Sequence, residues 1–113
     1  MKIVAGDITI AQLKQMAGAI FGNLIKAVVD IDKNLLAVDA ELHSDLEAML
    51  LENGSKQENL WGINLYPDLK GDDFIEFDSV INIRPSQNNN SRGVSDENIR
   101  KKIKAIVERK IQK

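Results

Sequence analysis

Apolar positions along the chain change period several times, and each change marks an element. Thr9 followed by Gln12 is a capping-box pattern, and Ile10, Leu13, Ala17, Ile20 and Phe21 then recur at helical spacing. Gly22-Asn23 is the stop signal for this helix. From Leu24 the period becomes two, with Ile25, Ala27, Val29 and Ile31 on one face and Lys26, Val28 and Asp30 on the other. Asp32-Lys33-Asn34 turns the chain into a second, shorter strand, Leu35 to Val38. Asp39 is placed to cap a second helix with the stripe Leu42, Leu46, Met49 and Leu50, ending near Asn53-Gly54.

Two more strands are expected beyond it. Leu60 to Tyr66 alternates Trp61, Ile63 and Leu65 against Gly62, Asn64 and Tyr66, and Pro67 to Asp72 has strong turn chemistry. Phe74 to Arg84 places Ile75, Phe77, Ser79, Ile81 and Ile83 opposite Glu76, Asp78, Val80, Asn82 and Arg84. Pro85 to Gly93 has no apolar residue and reads as a mobile loop. Ser95 is expected to cap a last helix carrying Ile99, Ile103, Ile106, Val107 and Ile111, with Asp96 and Glu97 at its positive end and Lys110 and Lys113 at its negative end. With a short apolar start from Lys2 to Ala5 as an edge strand, the order is (β)αββαββα. Strands with one apolar face call for helices on that face alone. The expected fold is therefore α+β in two layers, three helices on one face of a four- to five-stranded, largely antiparallel sheet, as a single domain over residues 1 to 113.

Composition narrows the chemistry. The 113 residues are 43% hydrophobic with five aromatics, so Ile, Leu, Val and Ala must make most of the core. Cysteine is absent, which excludes disulfides and thiolate ligands or nucleophiles and suits a reducing compartment. The longest apolar runs, such as Ala17 to Phe21, are too short to span a bilayer. A cytoplasmic protein with no membrane partner is expected. Net charge is −2, but from Arg92 onward eight Lys or Arg face three Asp or Glu, a local +5 that leaves −7 for the first 91 residues. In helical projection Arg100 and Lys104 flank the apolar stripe while Lys102, Arg109 and Lys113 lie opposite. The charge surrounds the last helix, and a nucleic-acid surface is disfavoured.

The open sheet face is the first candidate site. It gathers Lys26, Asp30, Asn64, Tyr66, Glu76, Asp78, Asn82 and Arg84, with Glu76 and Asp78 as an acid–base pair or as oxygen ligands for a hard cation. The competing reading is a solvated face with ordinary cross-strand charge pairs. The second candidate is the Arg84–Arg92–Ser95 segment, two arginines on a polar loop that runs into a helix N-terminus, as an anion cradle; Asp96 and Glu97 count against it. Asp30, Asp32, Asn34 and Glu41 have the spacing of an EF-hand loop, but Leu35 stands where glycine is required, so this reading fails. His43, the only histidine, lies four residues from Asp39 and from Glu47, which suggests a solvated helix face more than a metal site. No catalytic residue, metal ligand or cofactor is assigned.

Two stretches carry a resemblance: Gly54 to Pro67 (GSKQENLWGINLYP), and Ile75 to Ser79 continuing through Ile81 to Gln87. With Lys26 to Ile31 and Ser91 to Val94, the chain resembles a family of short prokaryotic proteins catalogued only as a domain of unknown function. That resemblance brings no activity with it. It implies glycine at the hairpin turn, where this chain has Asp32-Lys33-Asn34-Leu35, and again where it has Asn88 or Asn89; asparagine tolerates the left-handed backbone that glycine would supply. The leading expectation is a non-catalytic module whose polar sheet face and following loop, through Asn64, Tyr66, Glu76, Asp78, Asn82, Arg84 and Arg92, contact a small anionic ligand or a protein partner. The alternatives are a small carboxylate- or metal-dependent enzyme, with Asp30 or His43 assisting Glu76 and Asp78, and a homo-oligomeric structural subunit.

Overall fold

The computed structural model describes residues 1 to 112, so the expected place of Lys113 at the end of the last helix lies outside the described residues. The elements are β1 (Lys2–Ile3), β2 (Ile8–Thr9), α1 (Ile10–Ile20), β3 (Ile25–Asp30), β4 (Leu35–Val38), α2 (His43–Glu52), β5 (Leu60–Leu65), β6 (Ile75–Glu76), α3 (Glu97–Lys110) and β7 (Ile111–Gln112). Five strands form one antiparallel sheet in the order β1-β4-β3-β5-β6, and β2 pairs with β7 in a small parallel sheet. The α+β class and the rough element order are those expected from the sequence.

Local chemistry accounts for the ends of several elements. The Gln12 N–H donates to Thr9 Oγ1 at 3.1 Å and the Thr9 N–H donates to Gln12 Oε1 at 2.9 Å, the reciprocal capping box. In the β3–β4 hairpin Asn34 takes a left-handed φ of 57°. The buried Asp30 holds this turn: its Oδ1 accepts from the Asp32 and Lys33 N–H groups, both at 2.9 Å. Its Oδ2 accepts from Ser55 Oγ at 2.6 Å, and Lys33 Nζ reaches the Gly54 carbonyl at 2.8 Å, fastening the hairpin to the exit of α2. Asp30 is therefore a turn-forming residue and not part of an open site.

The helices do not share one face. Ile25, Ala27 and Val29 of β3, with Trp61, Ile63 and Leu65 of β5, pack under Leu13 and Ala17 of α1 and Ile103, Ile106 and Val107 of α3. On the opposite face Val28, Ala37 and Leu60 pack under Leu46 and Leu50 of α2. The expectation of three helices on one face is corrected to three layers. The physical reason is that the second face is apolar over a central patch, which needs cover from one short helix. Polar residues resume beyond that patch, at Lys26, Asn64 and Glu76.

The segment from Phe74 to Arg84 departs most from its sequence pattern. Only Ile75 and Glu76 pair as a strand; the chain then bends through single 3-10 turns at Val80–Asn82 and Pro85–Gln87. Ser79 lies over Gly62, and a Cβ on Gly62 would come within 2.6 Å of the Ser79 Cβ. Side chains replace the missing strand along the outer edge of β5. Asn82 Oδ1 accepts from the Gly62 N–H at 2.8 Å while Asn82 Nδ2 donates to the Gly62 carbonyl at 2.9 Å. The Arg84 guanidinium donates to the Leu60 carbonyl at 2.7 Å and to the Gln57 carbonyl. Asparagine and serine compete with backbone for hydrogen bonds, so a run that alternates by hydrophobicity need not remain a strand.

The loop expected to be mobile is instead organised around Asn89. This buried amide donates to the Asn82 carbonyl at 2.7 Å and the Gly93 carbonyl at 2.8 Å, and accepts from Ser95 N–H at 2.9 Å and Ser95 Oγ at 2.7 Å. Ser95 is thereby occupied, and Asp96 caps α3 in its place, accepting from the Asn98 N–H at 2.8 Å. Asp39 does not cap α2 either. It has a φ of 73°, and the helix begins four residues later with Leu42 at the N-cap.

Two substitutions test the edge. Asn82→Ala leaves the buried Gly62 N–H and C=O without partners, at about 1–3 kcal/mol for each group, and should lower the urea midpoint accordingly. Gly62→Ala should destabilise by at least about 1–3 kcal/mol through overpacking against Ser79. Unchanged midpoints would mean that the edge contributes nothing to stability.

Candidate functional site

Register brings three polar residues into one row beside the apolar patch under α2. Lys26 of β3 is paired with Asn64 of β5, and Asn64 with Glu76 of β6, so a cation, an amide and a carboxylate lie side by side across three strands. Period two puts all three on the face shared with α2. Asn64 Nδ2 donates to Glu76 Oε1 at 2.8 Å, and the Tyr66 hydroxyl donates to the same oxygen at 2.9 Å. Asn64 is only 7% exposed, and its Oδ1 is a buried acceptor with no donor among the described residues. Burial and the Glu76 carboxylate raise the Tyr66 pKa above its ordinary value, so the phenol stays protonated and donating.

Next to this row is an ion pair, Arg92 Nε to Asp78 Oδ1 at 2.6 Å. The hydrogen bond from Arg92 holds the Asp78 carboxyl below its usual range, and the same bond raises the Arg92 pKa. His43, the first residue of α2, is buried nearby, and its Nε2 lies 2.8 Å from the Ile63 carbonyl. A carbonyl only accepts, so Nε2 carries the proton and the neutral ring leaves Nδ1 bare. Burial lowers the His43 pKa; Lys26 and Arg92 act in the same direction, while the Ile63 hydrogen bond and Asp78 oppose them. The imidazole is neutral at neutral pH.

These groups edge a pocket of about 180 Å³ at the N-terminus of α2, with Lys26, His43, Ser79 and Arg92 in its walls. Leu42 has no side-chain acceptor to offer the first-turn N–H groups, while Asp45 in that turn sets a carboxylate against the positive end of the helix dipole. Leu42 and Val80, also in the wall, are 55% and 64% exposed. Polar side chains in this wall thus lie beside exposed apolar ones.

Of the residues singled out from sequence, the structure brings Asn64, Tyr66 and Glu76 into one hydrogen-bonded group and sets Asp78 and Arg92 beside it. Asn82 and Arg84 go elsewhere. Asn82 is spent on Gly62, and Arg84 is spent on backbone carbonyls, its guanidinium stacked 4.2 Å from the Trp61 ring. The two arginines do not converge, so the loop forms no anion cradle. The sequence offers His43 only as an assistant in the enzymatic alternative, set between Asp39 and Glu47, whereas the structure buries it. Its spacing to Leu46 and Leu50, three and seven residues on, was the signal that it belongs to the buried stripe. Among the described residues, no group of three or more His, Asp or Glu side chains could hold a metal ion.

Residues 2–110 match a family model described as "Protein of unknown function (DUF5674)". The chain belongs to this family. No curated protein and no solved structure matches it. The match spans nearly the whole chain of this DUF5674 member and supplies no activity, so its chemistry has to be read from geometry. Within the two stretches where the resemblance implied glycine, Asn34 has a φ of 57° and Asn88 a φ of 60°, both in the left-handed region that glycine would supply. Among the described residues of this DUF5674 chain, no helix is long and apolar enough to cross a membrane.

A pH dependence follows from His43. Because its folded pKa is below the ordinary 6.5, the unfolded chain binds the proton first as pH falls. Stability from the neutral ring is complete above 6.5 and is lost as pH drops through that value toward the depressed one. His43→Gln should flatten this part of a stability-versus-pH curve measured by urea melts between pH 7.5 and 4.5, and the wild-type imidazole resonances should titrate below 6.5. Titration at or above 6.5 would show that burial does not control the ring.

Proposed function

We propose that this chain is a non-catalytic interaction module that receives a carboxylate-bearing anchor side chain of a protein partner in the pocket at the N-terminus of α2. One observation carries the reading: the N-terminus of α2, which has no side-chain cap, and the Lys26 cation line a hole rimmed by exposed Leu42 and Val80, with Arg92 beside them already paired to Asp78. A helix N-terminus and the Lys26 cation favour an anion. Exposed Leu42 and Val80 favour a larger body around that anion, because apolar side chains gather at the buried centre of protein interfaces. At about 180 Å³ the hole is below the ~300 Å³ at which sites for drug-sized molecules begin, and its size suits one side chain.

The catalytic alternative has less support. Glu76 is engaged by Asn64 and Tyr66, and Asp78 by Arg92, so the two carboxylates offered by the sequence as acid and base each have a structural partner. The module acts as a single domain in the cytoplasm, a reading that rests on the cysteine-free composition.

The test is a labelled peptide with a Leu-Asp-Leu core and its Leu-Asn-Leu counterpart, compared by fluorescence anisotropy. The aspartate peptide should bind about tenfold tighter, in keeping with the roughly 1.5–3 kcal/mol of a charged hydrogen bond. Lys26→Glu should abolish the difference, and Leu42→Ser should weaken both peptides. Equal binding of the two peptides, or no binding at millimolar concentration, rejects the proposal.

A further inference from the structure

A second concavity is on the other side of the sheet. A groove of about 630 Å³ opens where the Pro67–Asp73 loop arches over α1 and α3, well within the ~300–1,000 Å³ of small-molecule sites. Its floor is apolar: Ile10 from α1, Phe74 just before β6, Ile75 in β6, Val107 in the last turn of α3 and Ile111 in β7. Ile10, Phe74 and Ile75 pack on the core yet remain only partly buried, so apolar surface is presented to the groove. None of these residues contributes to the α2 pocket.

The mouth carries the second observation. Lys14 of α1 pairs with Asp68 of the loop at 3.3 Å, and Lys104 of α3 pairs with Asp72 at 3.8 Å. Each lysine is about half exposed, whereas Asp72 is fully exposed and Asp68 nearly three-quarters so. Such exposed pairs contribute little stability and exchange readily. Each lysine already holds one carboxylate at the lip of an apolar groove, and a carboxylate of another molecule can take the same position at small cost. Lys70 adds a third cation to the lining; Asp68, Asp72 and Glu108 oppose any ligand of high negative charge. A single negative charge on an apolar body matches both the floor and the mouth.

We infer that this groove is a binding site for an aliphatic monocarboxylate, its chain on Ile10, Phe74, Ile75 and Val107 and its carboxylate on Lys14 or Lys104 in place of the loop aspartate. Displacing Asp68 or Asp72 frees the loop, whose turn at Gly71 has a φ of +62°. Ligand entry and loop movement are therefore coupled. The inference is independent of the α2 pocket.

The experiment titrates octanoate, dodecanoate and dodecanol, each below its aggregation threshold, into the full chain by calorimetry and ¹⁵N-resolved NMR. Dodecanoate should bind at least tenfold tighter than octanoate, since each pair of added methylenes contributes roughly a factor of ten when buried. Shifts should centre on Leu69, Phe74 and Val107. Lys14→Met with Lys104→Met should weaken dodecanoate about tenfold and leave dodecanol unchanged; both lysines are surface residues, so folding is preserved. Equal affinity for the two acids, an unaffected double variant, or shifts centred on Lys26 and His43 would each overturn the inference. So would binding to phosphatidylglycerol vesicles with no response to dodecanoate, which would make the groove a bilayer contact.

Discussion

The pairing of one side-chain amide with one glycine holds this architecture together at its weakest point. β5 needs partners on both edges; β3 supplies one edge in full, whereas β6 supplies only two residues of the other. Asn82 completes it by presenting an acceptor and a donor to Gly62, as a strand residue would. An orphaned backbone group in such a buried position costs more than an ordinary hydrogen bond returns, which is why the geometry has to be met by a side chain of this shape. The same amide donates to the Arg92 carbonyl at 2.9 Å, and the Ser79 N–H donates to that carbonyl too. The edge of the sheet, the loop and the cation of the candidate site are thus positioned by one residue.

What the sequence made legible follows from where local rules act alone. The capping box of α1 and the period-two pattern of β3, followed by a turn, are local, and both appear as expected. The turn at Asn34 and the bend at Asn88 are local as well, since only the left-handed region satisfies them. Long-range competition is not local. Phe74 to Arg84 alternates like a strand, but whether it pairs depends on Ser79 and Asn82 finding Gly62, about twenty residues earlier in the chain. The side chosen by α2 likewise depends on Val28, Ala37 and Leu60 coming together from three strands, which no window of sequence displays.

The candidate site was legible in the same uneven way. Asn64, Tyr66 and Glu76 were recoverable from strand period and face. Arg84 was misplaced because its partners are backbone carbonyls, which leave no trace in a list of charges. His43 was hidden by a familiar i, i+4 trio, although Asp39 is not in the helix at all. Burial then keeps this ring neutral beside Asp78, so the charge balance of the pocket is set by Lys26 and Arg92 against two carboxylates that already have donors.

The side-chain seal along β5 also bears on how copies of this chain can meet. Sheets grow by recruiting strands to unpaired backbone, and a long open edge is a standing invitation to aggregation. Here the Leu60 carbonyl and the Gly62 backbone are already occupied by Arg84 and Asn82, so an incoming strand would have to evict an amide and a stacked guanidinium before it found a partner. At the opposite edge β1 has only two residues to offer. The molecule is thereby protected against sheet extension at both ends, by occupancy on one side and brevity on the other.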